Sequence, residues 1–87
     1  MNVGHHPKPG SMCKLLRNAA VCNKIPMMSQ LTTLTYSKFF KWFDAKKNER
    51  CLVVSSCADD YAQVWAFVVF NELKLGWIVI EALEHVK

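Results

Sequence analysis

The sequence predicts an α+β domain: two N-terminal helices, over about 12–22 and 35–47, packed on a small antiparallel sheet over about 51–56, 62–70 and 75–82. Three observations predict it. Apolar residues recur at helical spacing in the first half of the chain. The second half holds unbroken blocks of β-branched and aromatic residues. At 87 residues there is room for one domain with a modest core.

Residues 1–11 read as a flexible tail, because two prolines, two glycines and the His5-His6 pair leave nothing to bury. The single small domain is then 12–87. Gly10-Ser11-Met12 also resembles a cloning junction, which would set the natural start at Met12. Ser11 is a good N-cap for the first helix. Met12, Leu15, Leu16, Ala19 and Cys22 form its apolar stripe, with Lys14, Arg17 and Asn18 opposite. Asn23 and Pro26 end it. In the connector that follows, Met27 and Met28 are adaptable packing residues. The second helix carries Tyr36, Phe39, Phe40 and Phe43 at i, i+3, i+4 and i+7, and Asn48 is its stop signal. Cys51 opens the first strand.

The stretch 61–83 holds two apolar blocks, 64–70 and 75–80, separated only by Asn71, Glu72, Leu73 and Lys74. Three readings compete for it. A pair of strands suits the β-branched and aromatic content, although the turn lacks an Asn-Gly or Asp-Gly pair. A buried helix over 57–75, in a mostly α fold, would use Ser56 as N-cap, Asp59 at the capping-box position and Gly76 as C′ residue. A transmembrane helix has the right length, but Glu72 and Lys74 near the midplane would each cost about 2.5–3.5 kcal/mol. The strand pair is the reading carried into the α+β fold.

Apolar residues make up 52% of the chain, which excludes a largely disordered protein. The net charge of +4 is unevenly placed: the first 43 residues hold six bases and no acid. Such a half points to nucleic acid, an anionic membrane surface or an organelle-targeting segment; a solvated basic surface is the plainer reading. The first helix, short, basic and amphipathic, resembles what mitochondrial import machinery reads. The expected location is intracellular, cytoplasmic or mitochondrial. Cys13, Cys22, Cys51 and Cys57 lack the Cys-x2-Cys spacing of zinc or redox motifs, so they read as free thiols, with two disulfides as the rival.

The inventory for catalysis is thin. A nucleophile pairing of Cys51 or Cys57 with His85, oriented by Asp59 or Asp60, is conceivable, but nothing in the sequence joins them. Asp59-Asp60 lacks further oxygen ligands for a cation, and there is no glycine-rich phosphate loop. The sequence therefore points away from an enzyme and indicates no metal, cofactor or small-molecule substrate.

If 64–70 and 75–80 are strands, both of their faces are apolar. Two modest helices cannot cover both, and a large apolar patch left in water marks an interaction site. The expected function is a non-catalytic small subunit or interaction module of a larger protein assembly, or a homo-oligomer. Its interface would comprise Trp65, Phe67, Val69, Trp77, Ile78 and Ile80. The alternative is a small basic nucleic-acid-binding module using Lys38, Lys41, Trp42, Lys46, Lys47 and Arg50, where cations alternate with rings able to stack on bases. A protein partner or self-association is the leading expectation, with nucleic acid and peripheral membrane contact behind it.

Overall fold

The structure is a computed structural model, and it describes residues 7–25 and 41–86. Among the described residues there are seven strands and no α-helix. They are β1 (Met12–Leu15), β2 (Ala19–Cys22), β3 (Trp42–Ala45), β4 (Arg50–Ala58), β5 (Val64–Val69), β6 (Leu75–Val79) and β7 (Leu83–His85), with a single 3-10 turn at Ile80–Ala82 before β7. All pair antiparallel in one sheet, ordered β3-β2-β6-β5-β4-β1-β7.

One register explains the shape of this sheet. Met12 lies opposite Leu52, Lys14 opposite Arg50, Ala19 opposite Ala45 and Cys22 opposite Trp42, the same offset throughout. Segments 12–22 and 42–52 are thus two strands of one long ribbon, broken at 16–18 and 46–49. Yet β4, β5 and β6 separate β1 from β2 in the sheet. In a flat sheet those four strand spacings would amount to about 19 Å. The chain from Leu15 to Ala19 can reach about 14 Å at most. The sheet must curl, and it forms a half-barrel whose open side is crossed by links 16–18 and 46–49. The links are bonded to each other. The Asn48 N–H donates to the Leu15 carbonyl at 2.8 Å, the Leu15 N–H to the Glu49 carbonyl at 2.9 Å, and the Lys47 N–H to Asn18 Oδ1 at 2.7 Å.

The α+β expectation is overturned in its first half. Residues 12–22 are β1 and β2, not a helix. The inward residues are Cys13, Leu15 and Val21, whereas Met12 and Leu16, both assigned to the helical stripe, are exposed. A short segment has little helical stability of its own, and pairing with 42–52 wins. The expected helix 35–47 fails for the same reason where it can be seen. Residues 42–45 are β3, with Phe43 and Ala45 turned inward and Trp42 and Asp44 outward; residues 35–40 lie outside the described residues, as do Met27, Met28, His5 and His6. Asn48 does adopt positive φ, at 75°, but it turns the 46–49 link rather than ending a helix.

The stretch 61–83 is a hairpin with the short 3-10 turn beyond it, which excludes the helix over 57–75 and the membrane-spanning helix. Among the described residues no helix is long and apolar enough to cross a membrane. The helix signals have other uses here. Asp59 caps backbone N–H groups, but those of the turn between β4 and β5: its Oδ1 accepts from Tyr61 at 2.8 Å and Gln63 at 2.9 Å. The β5–β6 turn needs no Asn-Gly pair because Asn71 Oδ1 accepts from the N–H groups of Leu73 and Lys74, at 2.9 and 3.0 Å. Of the expected tail, residues 7–11 run beside β4, with Pro7 buried, the Gly10 N–H on the Val53 carbonyl at 2.7 Å and the Val53 N–H on the Ser11 carbonyl at 2.9 Å.

The tight curl encloses small side chains. Cys13, Val21, Ala45, Cys51, Val53, Ala66, Val68 and Ala82 are buried with Leu15, Ile78, Ile80 and Leu83. Gly76 permits the close approach of β6 to β2, where Cys22 pairs with Trp77. A Cβ there would lie 2.6 Å from the Cys22 carbonyl oxygen and 2.9 Å from Val21 Cγ1. Gly76→Ala therefore must push β6 off β2, and should cost about 1–3 kcal/mol. Urea unfolding measures this; an unchanged midpoint would mean that β6 does not approach β2 this closely.

Candidate docking face

Residues directly opposite across paired strands point to the same side of a sheet. On the outer, convex side three cross-strand rows result. The first runs Met12, Leu52, Val69, Leu75 over β1, β4, β5 and β6. The second runs Ser55, Phe67, Trp77, Cys22, Trp42 over β4, β5, β6, β2 and β3. The third is Cys57, Trp65, Val79. In the first row Met12 is 50% exposed, Leu52 40% and Leu75 44%. Trp65, Phe67, Val69, Trp77 and Val79 are half-buried, and the Phe67 and Trp77 rings meet edge to face at 5.2 Å. A bulge after Val53 puts Val54 out into solvent beside Leu52.

Of the six expected interface residues, Trp65, Phe67, Val69 and Trp77 share this face. Ile78 and Ile80 do not: both point into the core and are fully buried or nearly so. The sequence reading missed Met12, Leu52 and Leu75. Alternation in 50–54, with Cys51 and Val53 inward, was the available signal for Leu52; for Met12 the helix assignment concealed it.

The six expected nucleic-acid residues are divided. Lys38 lies outside the described residues. Lys41 and Trp42 stand at the start of β3, and Trp42 belongs to the aromatic row. Lys46, Lys47 and Arg50 lie past the other end of β3, all exposed, with Asp44 between the two groups. What the fold adds to the second group is Lys14, opposite Arg50, and Arg17 on the adjoining link.

Two side-chain networks brace the ends of the hairpin. At one end Lys74 Nζ lies 5.3 Å from the Phe43 ring centre and 5.5 Å from that of Phe70, and pairs with Glu49 Oε2 at 3.0 Å. Glu49 Oε1 accepts the Lys46 N–H at 2.8 Å; that bond, then the Lys74 bond, holds the Glu49 carboxyl below its ordinary pKa. At the other end the Trp65 indole N–H donates to Asp59 Oδ2 at 2.9 Å, and Gln63 Nε2 donates to Glu81 Oε1. Tyr61, Ala62, Gln63, Val64, Ile80 and Glu81 line a shallow hollow of about 280 Å³ there, too open to enclose a small molecule.

The four cysteines are not paired with one another; Cys13, Cys22 and Cys51 are buried and only Cys57 is exposed. Burial raises the Cys13 and Cys22 thiols, and pushes Cys51 up to about 12. His85 stands opposite Cys13 rather than beside Cys57. Among the described residues no three His, Cys, Asp or Glu side chains are grouped to hold a metal ion. Comparison with known protein families, with characterised proteins and with solved structures finds no match for this chain.

The bond from Trp65, first, and those from Tyr61 and Gln63 lower the Asp59 pKa from its ordinary value. A carboxylate with a lowered folded-state pKa stabilises the turn above its unfolded pKa, and the contribution fades as pH falls through the folded one. The Trp65 indole N–H resonance should therefore titrate with a midpoint below the ordinary aspartate range, and Asp59→Asn should abolish that step. A midpoint at the ordinary value would show that the Trp65 bond is absent.

Proposed function

We propose that this chain is a non-catalytic interaction module, a small subunit of a larger protein assembly, docked through the outer face of β4, β5 and β6. The observation that supports this most is the Met12, Leu52, Val69, Leu75 row. Four aliphatic side chains stand side by side across four strands, three of them 40–50% exposed, and half-buried aromatic rings continue the surface. Removing such a surface from water stabilises a complex by about 25 cal/mol per Å² of apolar area. Exposed singly, these residues would be ordinary; aligned, they form a patch of the kind that marks an interface.

The margin of the face indicates the chemistry of the partner. The next row beyond Met12 and Leu52 is Lys14 and Arg50. A protein with an apolar centre and an acidic rim on that side is complementary to it, and complementary rims direct encounter and register. A second copy of the chain is the other occupant the experiment distinguishes.

Site-specific photo-crosslinking in cells tests the reading. A crosslinker at position 75 should capture one defined protein, or a second copy, that a crosslinker at Lys8 does not. Leu52→Lys should abolish the capture while leaving folding stability within about 0.5 kcal/mol, since Leu52 is already largely exposed. Equal capture from both positions, or capture that survives Leu52→Lys, would rule out this face.

A further inference from the structure

We infer that the bend of the ribbon is a binding site for the phosphate backbone of nucleic acid, formed by Lys14, Arg17, Lys46, Lys47 and Arg50. Far-apart segments supply these residues, and the crossing of links 16–18 and 46–49 brings them together. Arg17 precedes Asn18, whose Oδ1 takes the Lys47 N–H. Lys14 and Arg50 are directly opposite on β1 and β4.

Two features set this cluster apart from a solvated basic surface. First, four of its five cations, Arg17, Lys46, Lys47 and Arg50, form no salt bridge among the described residues. All seven acids of the chain fall among the described residues. Glu49 is salt-bridged to Lys74 and also attracts Lys46 through space, and Glu84 is salt-bridged to Lys14 at 3.5 Å from the far side of β1. Second, like charges directly opposite in a sheet destabilise it, and Lys14 and Arg50 are so placed. Glu84 offsets that repulsion at Lys14, and a bound anion would offset it at Arg50.

The arrangement fits phosphates on a polymer. Two arginines can each grip a phosphate with two N–H groups, and the lysines act as point charges beside them. A lipid surface is the poorer fit. Within the cluster only Leu16 offers an exposed apolar side chain, and membrane attachment by charge alone needs a second anchoring signal. Trp42, the exposed ring nearest in sequence, is at the opposite end of β3, so recognition here is of backbone charge and not of stacked bases.

Fluorescence anisotropy with a labelled RNA strand and a labelled DNA duplex, using the full chain, tests this. Contacts to four phosphates of a single strand predict an affinity loss of about 50-fold between about 50 and 200 mM salt. The double variant Arg17→Ser with Lys47→Ser should weaken binding about tenfold or more and reduce the logarithmic salt slope for the single strand by about 1.4. Lys8→Ser with Lys24→Ser removes equal charge elsewhere and should leave the slope unchanged. Equal loss in both double variants would reduce the effect to net charge and overturn the proposal. Absence of nucleic-acid binding, or binding only to vesicles containing phosphatidylserine, would overturn it as well. Neither result bears on crosslinking from position 75, so the two readings fail separately.

Discussion

The structure depends on one covalent constraint. Three residues join β1 to β2 and four join β3 to β4, while the sheet places three strands between the members of each pair. Links so short cannot cross a flat sheet. The curl follows, and with it the division of every strand residue between a narrow interior and a convex exterior. The bonds between the two links, Asn48 to Leu15 and Lys47 to Asn18, hold the bend in place. Gly76 lets the hairpin close against β2.

The narrow interior sets the character of the exterior. A tightly curled sheet has room inside for Ala, Cys and Val, and the largest fully buried side chains are Leu15 and Ile78. Among the described residues, no aromatic ring is fully buried. Trp65, Phe67 and Trp77 are displaced to the outside by geometry. A sheet with a small-residue core and a ring-bearing outer surface has more apolar area than one layer can bury. The apolar outer face is therefore a consequence of the curl, and basic side chains lie at the bend that produces it.

The hairpin and the first half of β4 were legible in the sequence because the blocks 64–70 and 75–80 are too β-branched, and too closely spaced, to suit a helix well. Trp65, Phe67, Val69 and Trp77 were legible as surface because both faces of those blocks are apolar. The N-terminal half was not. Met12, Leu15, Leu16 and Ala19 satisfy helical spacing as well as Cys13 and Leu15 satisfy alternation, and only the distant partner 42–52 decides between them. The inward direction of Ile78 and Ile80 was hidden for a related reason: which face is inward is fixed by the curl, a property of the whole sheet. Lys14 and Arg17 read as the polar face of a helix, because Arg50 and Lys47, which the fold brings near them, are thirty or more residues away in sequence.

The constant register of 12–22 against 42–52 is the claim on which the rest stands, and backbone NMR tests it directly. The Asn23 N–H bond to the Lys41 carbonyl, at 2.9 Å, and that of Leu15 to Glu49 make the odd-numbered positions of the first strand the hydrogen-bonded pairs. Met12 with Leu52 and Cys22 with Trp42 are then non-hydrogen-bonded pairs, whose Cα atoms approach to about 4.5 Å. Strong Hα–Hα Overhauser contacts should join both pairs in the same molecule. Their absence, with sequential amide–amide contacts through 12–22 instead, would restore a helix there and contradict the bent ribbon.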